Sequence, residues 1–375
     1  MKVELPGDDD PRRRALRDWL AEHRSPSGRD LAEAGLVAPH WPKPWGLGAD
    51  ATHQLIVDDE LRRAGVSRPQ NQIGIGWAGP TLIAAGSEEQ KRRYLLPLLA
   101  GEEIWCQLFS EPDAGSDLAS LRTTAARDGD EWVVNGSKVW TSMGHIAAFG
   151  ILLARTNPEV SAQQGITYFV CPMDLPGITV RPIKEMTGAA LFNQVTFDDV
   201  RLPASCVVGE VDQGWRLAKV TLANERVSLS SGGVLWGHGP KATDLIELVR
   251  RRPSGVVVDA LQRQRLVEVY IEGELLALLG ARLLGAALAG KQPGPEVSVR
   301  KALADEHGQH VMGLAVDLAG AAGMLNAAGP YGSTDPTWSY GFLFSPALTI
   351  GGGTSEVQRD IIGERVLGLP GSARA

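Results

Sequence analysis

The amino-acid sequence predicts an α+β protein in which a middle β-barrel domain lies between an N-terminal α-helical domain and a C-terminal four-helix bundle. Two changes of pattern along the 375 residues predict this order. Helical periodicity ends near residue 104, where short runs of period-two or apolar character begin, and long Ala/Leu-rich segments start near residue 213. We therefore expect domains at residues 1–104, 105–212 and 213–375.

Composition argues against several classes of protein. The net charge of -7 disfavours a nucleic-acid or anionic-membrane surface as the main partner. Cys106, Cys171 and Cys206 lie far apart and form no metal or redox motif, which suits a reducing compartment. No apolar run approaches the ~18 residues of a membrane span, and the N-terminus carries no apolar leader. We therefore expect a cytoplasmic protein that binds neither nucleic acid nor membrane.

Capping residues predict the helices of the N-terminal domain. Asp10-Pro11 begins an amphipathic helix, Gly35 ends the next, and His53–Ala64 is periodic again. Gly74–Gly79 fits the dinucleotide pattern GxGxxG, but no strand precedes it and no βαβ unit follows. We expect Pro80 to lie in the first turn of a helix instead.

The middle domain is predicted from short strands bounded by turn residues. The candidates are Trp105–Phe109, Trp132–Val134, Lys138–Thr141, Gly150–Ala154, Ile166–Cys171, Ile178–Pro182 and Gln194–Phe197. Between two of them, Asn135-Gly136 is the signal of a two-residue hairpin turn.

The C-terminal domain is predicted from three long segments punctuated by glycines, as in an antiparallel bundle. They are Gly214–Gly237, Asp259–Gly290 and Pro295–Gly323. His307 and His310 are three residues apart on the last of them, which could place two metal ligands together. No second cluster accompanies them, so we expect ordinary helix positions and no metal site.

Three motifs follow one another in the order found in a known flavoprotein family. Residues 105–117 read WCQLFSEPDAGSD, residues 132–142 read WVVNGSKVWTS, and residues 349–359 read TIGGGTSEVQR. Together they resemble the acyl-CoA dehydrogenase family over nearly the whole chain. The resemblance implies the helix–β–helix architecture expected above, FAD as the cofactor and an acyl-CoA thioester as the substrate.

By this resemblance, the first motif binds one edge of FAD. Phe109 and Ser110 are expected to give backbone contacts to the pyrimidine end of the flavin ring. Gly115 and Ser116 are expected to bring a backbone group and a hydroxyl to the pyrophosphate, because glycine permits close approach.

The second motif is expected to cover the flavin ring. The resemblance implies that Trp140 forms a wall against the ring and that Ser142 hydrogen-bonds near its reactive nitrogen. Without the neighbouring motif, Trp140 would be interpreted as a core aromatic of a hairpin.

In the family a neighbouring subunit completes the FAD site, which implies a homo- or heterotetramer (a dimer of dimers). Arg251 matches an arginine that reaches the pyrophosphate, and Thr354 and Glu356 match positions that contact the dinucleotide. Two positions depart from the pattern. Ser254 stands where the element around Arg251 has a phenylalanine, and Ala321 stands where a second glycine is expected.

The family reaction removes the α-proton of a thioester with a carboxylate while hydride leaves the β-carbon. Because that proton is weakly acidic, the reaction needs donors at the thioester oxygen and a carboxylate whose pKa is raised by desolvation. Many relatives carry a glutamate immediately before the Gly-Thr of the C-terminal loop, where this chain has Gly352. The N–H of Gly352 can still donate to the thioester oxygen, but the base has to come from elsewhere.

Glu225 is the predicted base. Isovaleryl-CoA and long-chain acyl-CoA dehydrogenases carry the base on an earlier helix directly before an arginine, and Glu225-Arg226 resembles that pair. The residues one helical turn away include no cation that would explain the glutamate by a salt bridge: Thr221, Leu222, Ser228 and Leu229. Arg226 is then expected to orient Glu225 or to bind the CoA end. The alternative is a solvent-facing glutamate or one paired with an arginine of another helix.

Two other functions stay open from the sequence. The altered positions allow a non-catalytic or half-site partner subunit of a heteromeric acyl-CoA dehydrogenase. A flavin oxidase or tailoring enzyme of the same fold would react with oxygen, whereas a dehydrogenase passes electrons to an electron-transferring flavoprotein. The acyl chain is not predicted, although the motifs are similar to those of actinobacterial members that handle large or steroid-derived thioesters.

Overall fold

The computed structural model describes residues 5–229, 241–250, 258–291, 294–325 and 336–371. The chain divides into two compact units, residues 2–224 and residues 225–375 together with Met1. Within the described residues, no helix combines the length and the apolar character needed to cross a membrane.

Five short α-helices begin the first unit, and each has a local reason in the sequence. They are α1 Pro11–Glu22, α2 Gly28–Glu33, α3 Ala51–Arg63, α4 Gly79–Ala85 and α5 Glu88–Ala100. Asp10 caps α1 by accepting from the Arg12 N–H at 2.9 Å, as the Asp10-Pro11 pair predicts. Gly35 follows α2 with φ of +70°, a conformation that glycine adopts without strain.

The GxGxxG stretch is helical and its glycines serve packing. Residues 74–78 form a π-helical turn that leads into α4, with Pro80 in the first turn of α4 as predicted. A Cβ at Gly79 would lie 2.1 Å from the ring of Trp41, so only glycine fits there. This contact accounts for the glycine without a nucleotide.

A mixed sheet follows the helices and fills the position predicted for a small barrel. Its strands in the described residues are β1 Trp105–Leu108, β2 Thr124–Asp128, β3 Glu131–Ser142, β4 Phe149–Arg155, β5 Ile166–Pro172, β6 Ile178–Pro182 and β7 Phe192–Pro203. They run in the order β1-β4-β2-β3-β7-β6, with β5 also paired to β4. Alternating residues of these strands, among them Val134, Phe169 and Val195, form a buried apolar cluster on one face.

The predicted hairpin turn at Asn135-Gly136 is wrong. Those two residues lie inside β3, which runs without interruption from Glu131 to Ser142. The Asn135 side chain bonds Asp199 of β7 in both directions at 2.9 Å, and Gly136 lets Thr123 approach closely. The two-residue turn lies earlier, at Gly129-Asp130, where Asp128 pairs with Glu131.

Helices form the described part of the second unit. Helix α6 (Gly214–Leu229) continues across the division between the units, and α7 Ala242–Arg250, α8 Ala260–Leu288, α9 Val297–Ala319, α10 Pro336–Phe344 and α11 Ser355–Ile361 follow. An apolar core joins α7, α8, α9 and α10 through buried residues that include Leu245, Val269, Leu314 and Trp338. His307 and His310 both bond Glu272 of α8 through Nδ1, at 3.0 and 2.9 Å.

Candidate functional site

The end of β1 is held close to β3. The Val139 N–H donates to the Ser110 carbonyl at 2.9 Å. Phe109 is 3% exposed and its ring meets the ring of Tyr168 edge-on, with centroids 6.0 Å apart. The side chain of Phe109 is therefore used by the core, so a ligand here would meet backbone groups of this segment and not that side chain.

Gly115 and Ser116 lie exposed in the loop that leaves β1. A Cβ built on Gly115 would have no described atom within 4 Å, and the φ of Gly115 is not in the left-handed region. The described fold therefore gives no reason for glycine at this position. A residue that the fold does not need to be glycine is suited to close approach by a bound molecule.

Trp140 is a large aromatic side chain in a strained and exposed position. Residues Val139 and Trp140 lie opposite the single residue Gln194 of β7, because Lys138 pairs with Val195 and Thr141 with Asn193, so β3 has a bulge here. Trp140 takes φ of +60°, and its side chain is 59% exposed. A left-handed backbone costs roughly 1–2 kcal/mol for a residue with a Cβ. The alternative interpretation of Trp140 as a core aromatic is wrong, because this indole is 59% exposed.

Buried polar atoms without protein partners lie beside the bulge. The Thr141 Oγ1 and the Asn193 Oδ1 have no hydrogen-bond partner in the described part of the chain. Asn193 uses its Nδ2 to donate to the Thr141 carbonyl at 3.0 Å and to the His145 Nδ1 at 3.2 Å. Ser142, the next residue after Thr141, is 7% exposed. Groups of this kind are normally satisfied by water or a ligand.

The first unit joins the first two motifs at the Val139–Ser110 hydrogen bond. These neighbouring segments carry backbone groups at Phe109 and Ser110, a sterically unobstructed glycine at Gly115 and an outward-facing indole at Trp140. These features fit a planar, polyanionic cofactor such as a flavin nucleotide, which needs ring-edge donors, an aromatic wall and close backbone approach. We call residues 109–116 and 139–142 the cradle.

Sequence reasoning missed one buried ion pair beneath the cradle. Lys138 is fully buried and donates through Nζ to the Glu111 carboxylate at 2.7 Å and to the Phe109 carbonyl at 3.0 Å. Burial lowers the pKa of Lys138 to about 8, and the Glu111 carboxylate opposes that shift. A lysine two residues before the predicted flavin wall, and a glutamate directly after Ser110, were the available signals.

Helix α6 is anchored in the first unit by three hydroxyl groups. The Thr221 Oγ1 lies 2.8 Å from the Thr81 Oγ1 of α4 and 3.0 Å from the Tyr168 hydroxyl of β5. All three side chains are fully buried. Thr221 precedes Glu225 by one helical turn on the same face, so these bonds fix the rotation of α6 that decides where the Glu225 side chain points.

Glu225 is withdrawn from water. Its side chain is 7% exposed, so the alternative of a solvent-facing glutamate is wrong. Burial lowers the pKa of the neighbouring Arg226, the Glu225 carboxylate opposes that effect, and the positive charge of Arg365 adds to it. Arg226 is therefore partly out of solvent and under the influence of both a carboxylate and a second cation.

A glycine loop in the second unit presents Gly352. Gly352 and Gly353 take φ of +69° and +92°, a conformation that glycine accepts without strain. The carbonyls of both glycines accept hydrogen bonds from side chains. The Gln358 Nε2 donates to the Gly352 carbonyl at 3.1 Å, and the Lys301 Nζ donates to the Gly353 carbonyl at 3.3 Å. Lys301 also pairs with Asp305 at 2.5 Å, and both are buried.

Thr354 and Glu356 lie beside that loop. The Thr354 hydroxyl caps α11 by accepting from the Val357 N–H at 3.3 Å, which is a structural role of its own. Both residues line a groove of about 340 Å³ that also contains Glu306, Gln309, Thr349 and Arg359. Arg359 is engaged by Glu306 at 2.7 Å. Arg251, the remaining predicted cofactor contact, lies outside the described residues.

The helix–sheet–helix order places the cradle in the middle part of the chain. Comparison with known families agrees in each part. Residues 12–102 match the acyl-CoA dehydrogenase N-terminal domain, residues 106–200 the middle domain and residues 212–367 the C-terminal domain. The chain therefore belongs to the acyl-CoA dehydrogenase family and is an oxidoreductase of that class.

Named relatives support the same assignment. The chain is 42% identical to acyl-CoA dehydrogenase FadE34 of Mycobacterium tuberculosis over 91% of its own length, and it spans 45% of that protein. It is 40% identical to acyl-CoA dehydrogenase IpdE1 of the same organism, over 94% of this chain and 90% of the relative.

Solved structures share the fold over the whole chain. The Tcur3481-Tcur3483 steroid acyl-CoA dehydrogenase superposes with a TM-score of 0.80 at 31% identity, covering 99% of this chain and 100% of the other. The ChsE4-ChsE5 complex from Mycobacterium tuberculosis superposes with a TM-score of 0.77 at 32% identity, with full coverage of both chains.

Proposed function

We propose that the protein catalyses FAD-dependent α,β-dehydrogenation of an acyl-CoA thioester to the trans-2-enoyl-CoA. The observation that carries the proposal is Trp140. A left-handed backbone and an outward-facing indole cost folding free energy. The ring of Phe192 approaches this indole edge-on, at a centroid distance of 6.0 Å, and the indole stays 59% exposed. A bound isoalloxazine ring would supply the missing contact.

In this proposal each part of the cradle has one task. The backbone of Phe109 and Ser110 holds the pyrimidine edge of the ring, Gly115 and Ser116 admit the pyrophosphate, and Trp140 forms the wall. Ser142 donates near the reactive nitrogen. When bound, FAD supplies the hydride acceptor of the reaction, and these residues orient it and exclude water.

We assign the proton step to Glu225. A carboxylate kept out of water is a stronger base towards a carbon acid than an exposed one, because its charged form is less well solvated. Its burial and its place on α6 support the assignment, together with the resemblance of Glu225-Arg226 to relatives with the base on this helix. Arg226 then orients Glu225 or holds the CoA end of the substrate.

Gly352 is assigned to the thioester oxygen. As charge develops on that oxygen, a backbone N–H directed at it lowers the barrier. The carbonyls of Gly352 and Gly353 are engaged by Gln358 and Lys301, which fixes the peptide planes of the loop. Glycine at 352 also leaves room near the α-carbon, as a bulky acyl group would require.

The proposed substrate class is a large or branched thioester, including steroid-derived ones. One superposed relative is described as a steroid acyl-CoA dehydrogenase. The replacement of the usual glutamate by Gly352 supports the same class, since a smaller residue enlarges the space beside the reacting carbons.

For the assembly we propose a tetramer of acyl-CoA dehydrogenase chains in the cytoplasm. Electron-transferring flavoprotein is the proposed electron acceptor. Within each chain, the proposed domain boundaries lie near residues 104 and 212. A second candidate is a half-site subunit in a heteromer, since one similar structure is a complex of two differently named chains. In that case the chain contributes part of an FAD site and its partner the rest.

Purification followed by anaerobic substrate addition tests the proposal. We expect a yellow protein that releases FAD on denaturation and whose flavin colour is bleached by CoA thioesters with bulky acyl groups. A colourless protein that gains flavin only when co-expressed with a relative would favour the half-site subunit. Rapid reoxidation of the reduced protein by oxygen would favour an oxidase.

A further inference from the structure

A fully buried lysine underlies the cradle, and its bonds join β3 to the segment that follows β1. Lys138 lies in β3, two residues before Trp140, and its Nζ donates to the Phe109 carbonyl at 3.0 Å where β1 ends. The same nitrogen donates to the Glu111 carboxylate at 2.7 Å. A lysine with no exposed surface is rare, since desolvation of the ammonium is costly unless it is paired.

The Glu111 carboxylate is saturated with donors. Besides Lys138, it accepts from the Arg122 N–H at 2.7 Å and from the Thr123 N–H at 2.9 Å. Those two residues end the loop that Gly115 and Ser116 occupy. Glu111 therefore joins the start of this loop to its end. Burial raises the pKa of the Glu111 carboxyl, but Lys138 and these N–H donors outweigh burial and hold that pKa below its ordinary value.

One peptide unit connects the lysine with the proposed flavin contact. The Phe109 carbonyl and the Ser110 N–H belong to the same amide group. A donor with positive charge on the carbonyl draws electron density from that amide and makes its N–H a stronger donor on the other side. Lys138 thus bonds the carbonyl side of this peptide unit, and the Ser110 N–H lies on its opposite side.

We propose that Lys138 and Glu111 are positioning residues that aim and polarise the Ser110 N–H towards the pyrimidine edge of the flavin. This inference rests on the proposed function. It adds that the ion pair tunes the cofactor, since the pyrimidine edge gains negative charge when the flavin is reduced and a stronger donor there favours the reduced form. An apolar pair of similar volume would pack as well, because buried ion pairs add little net stability.

Lys138→Met is the primary test, and Arg13→Met is its matched control. Arg13 is also buried, 2% exposed, and pairs with Glu60 between α1 and α3. We expect both variants to unfold at lower temperature, because each leaves a buried carboxylate short of a partner. Only Lys138→Met should weaken FAD binding, by about tenfold, because the Ser110 N–H is then less well aimed and less polarised. Only Lys138→Met should shift the flavin midpoint potential, to a more negative value.

The double variant Lys138→Met/Glu111→Leu separates positioning from stability. It removes both charges, so the unfolding temperature should return towards that of the unaltered chain while FAD affinity and potential stay shifted. If Lys138→Met does not fold, Glu111→Gln carries the test. Since burial already lowers the pKa of Lys138 to about 8, loss of the carboxylate favours the neutral amine, and the same shifts are expected.

The outcomes distinguish the inference from the function on which it rests. Unchanged FAD affinity and potential in Lys138→Met, or their full recovery in the double variant, overturns the positioning role and leaves the function intact. Failure of the unaltered protein to bind FAD, alone or with a co-expressed relative, overturns the function itself. Proteolysis of the FAD-free protein gives a separate reading: Lys138→Met should be cut faster within residues 112–123 than Arg13→Met, and equal rates would contradict a role in closing the loop.

Discussion

Replacing Glu225 with glutamine tests the proposed base with little disturbance of the fold. Glutamine keeps the volume of the side chain and α6 keeps its rotation, because the Thr221 hydroxyl stays 2.8 and 3.0 Å from Thr81 and Tyr168. Loss of a general base slows proton transfer by roughly 10²–10⁴-fold, or about 3–5 kcal/mol in the activation free energy. The exposed Glu268 of α8 offers a matched control, since Glu268→Gln makes the same chemical change outside the proposed site.

Stopped-flow absorbance of the flavin, mixed anaerobically with a saturating thioester, measures this step directly. Glu225→Gln should retain FAD and the flavin spectrum but bleach at least about a hundredfold more slowly, while Glu268→Gln bleaches at the normal rate. Bleaching of Glu225→Gln at the unaltered rate would remove Glu225 from the mechanism. Loss of bound FAD in Glu225→Gln would instead show that the residue supports the fold.

Three further predictions follow from the geometry. Trp140→Gly removes a strained left-handed backbone, so the unfolding free energy of the FAD-free protein should rise by about 1 kcal/mol, measured by thermal unfolding. The same variant should weaken FAD binding at least tenfold, measured by FAD titration. Lower stability would contradict the proposed backbone strain at Trp140. The added methyl of Gly115→Ala meets no described atom, so this variant should leave the unfolding free energy within about 1 kcal/mol and still weaken FAD binding. The control Gly285→Ala, equally unobstructed on α8, should leave FAD binding unchanged. Equal FAD affinity in both variants would contradict the close approach of FAD to Gly115. Burial raises the pKa of the Asp305 carboxyl from 3.8 to about 6, so the folded protein binds that proton more tightly than the unfolded chain. The unfolding free energy relative to Asp305→Asn should therefore fall by about 2 kcal/mol as the pH rises from 4 to 6. A difference in unfolding temperature between the two proteins that is constant with pH would contradict this.

Capping and periodicity predicted much of the fold, because those signals act locally. Asp10 caps α1 and Gly35 follows α2, as the sequence indicates. The hairpin at Asn135-Gly136 was wrong for a physical reason. An Asn-Gly pair favours a turn only when no partner strand competes, and here Asp199 of β7 bonds the Asn135 side chain while β3 continues.

The candidate site was predicted in part, and what was missed depends on long-range contacts. The sequence indicated Gly115 and Trp140 through motifs but could not show that Trp140 lies in a bulge, because bulges depend on register with β7. Lys138 and Glu111 are 27 residues apart, and nothing local reveals that they meet. The same holds for Lys301, whose bond to the Gly353 carbonyl joins α9 to the glycine loop 52 residues away.

The central claim is that the cradle holds a flavin, and amide hydrogen exchange with and without FAD tests it most directly. The protein, alone or with a co-purifying relative, is compared by mass spectrometry of its peptides at saturating FAD. We predict slower exchange in peptides that cover residues 109–116 and 139–142, where FAD would cover the backbone amides. Protection confined to other segments, or none in these two, would contradict the account.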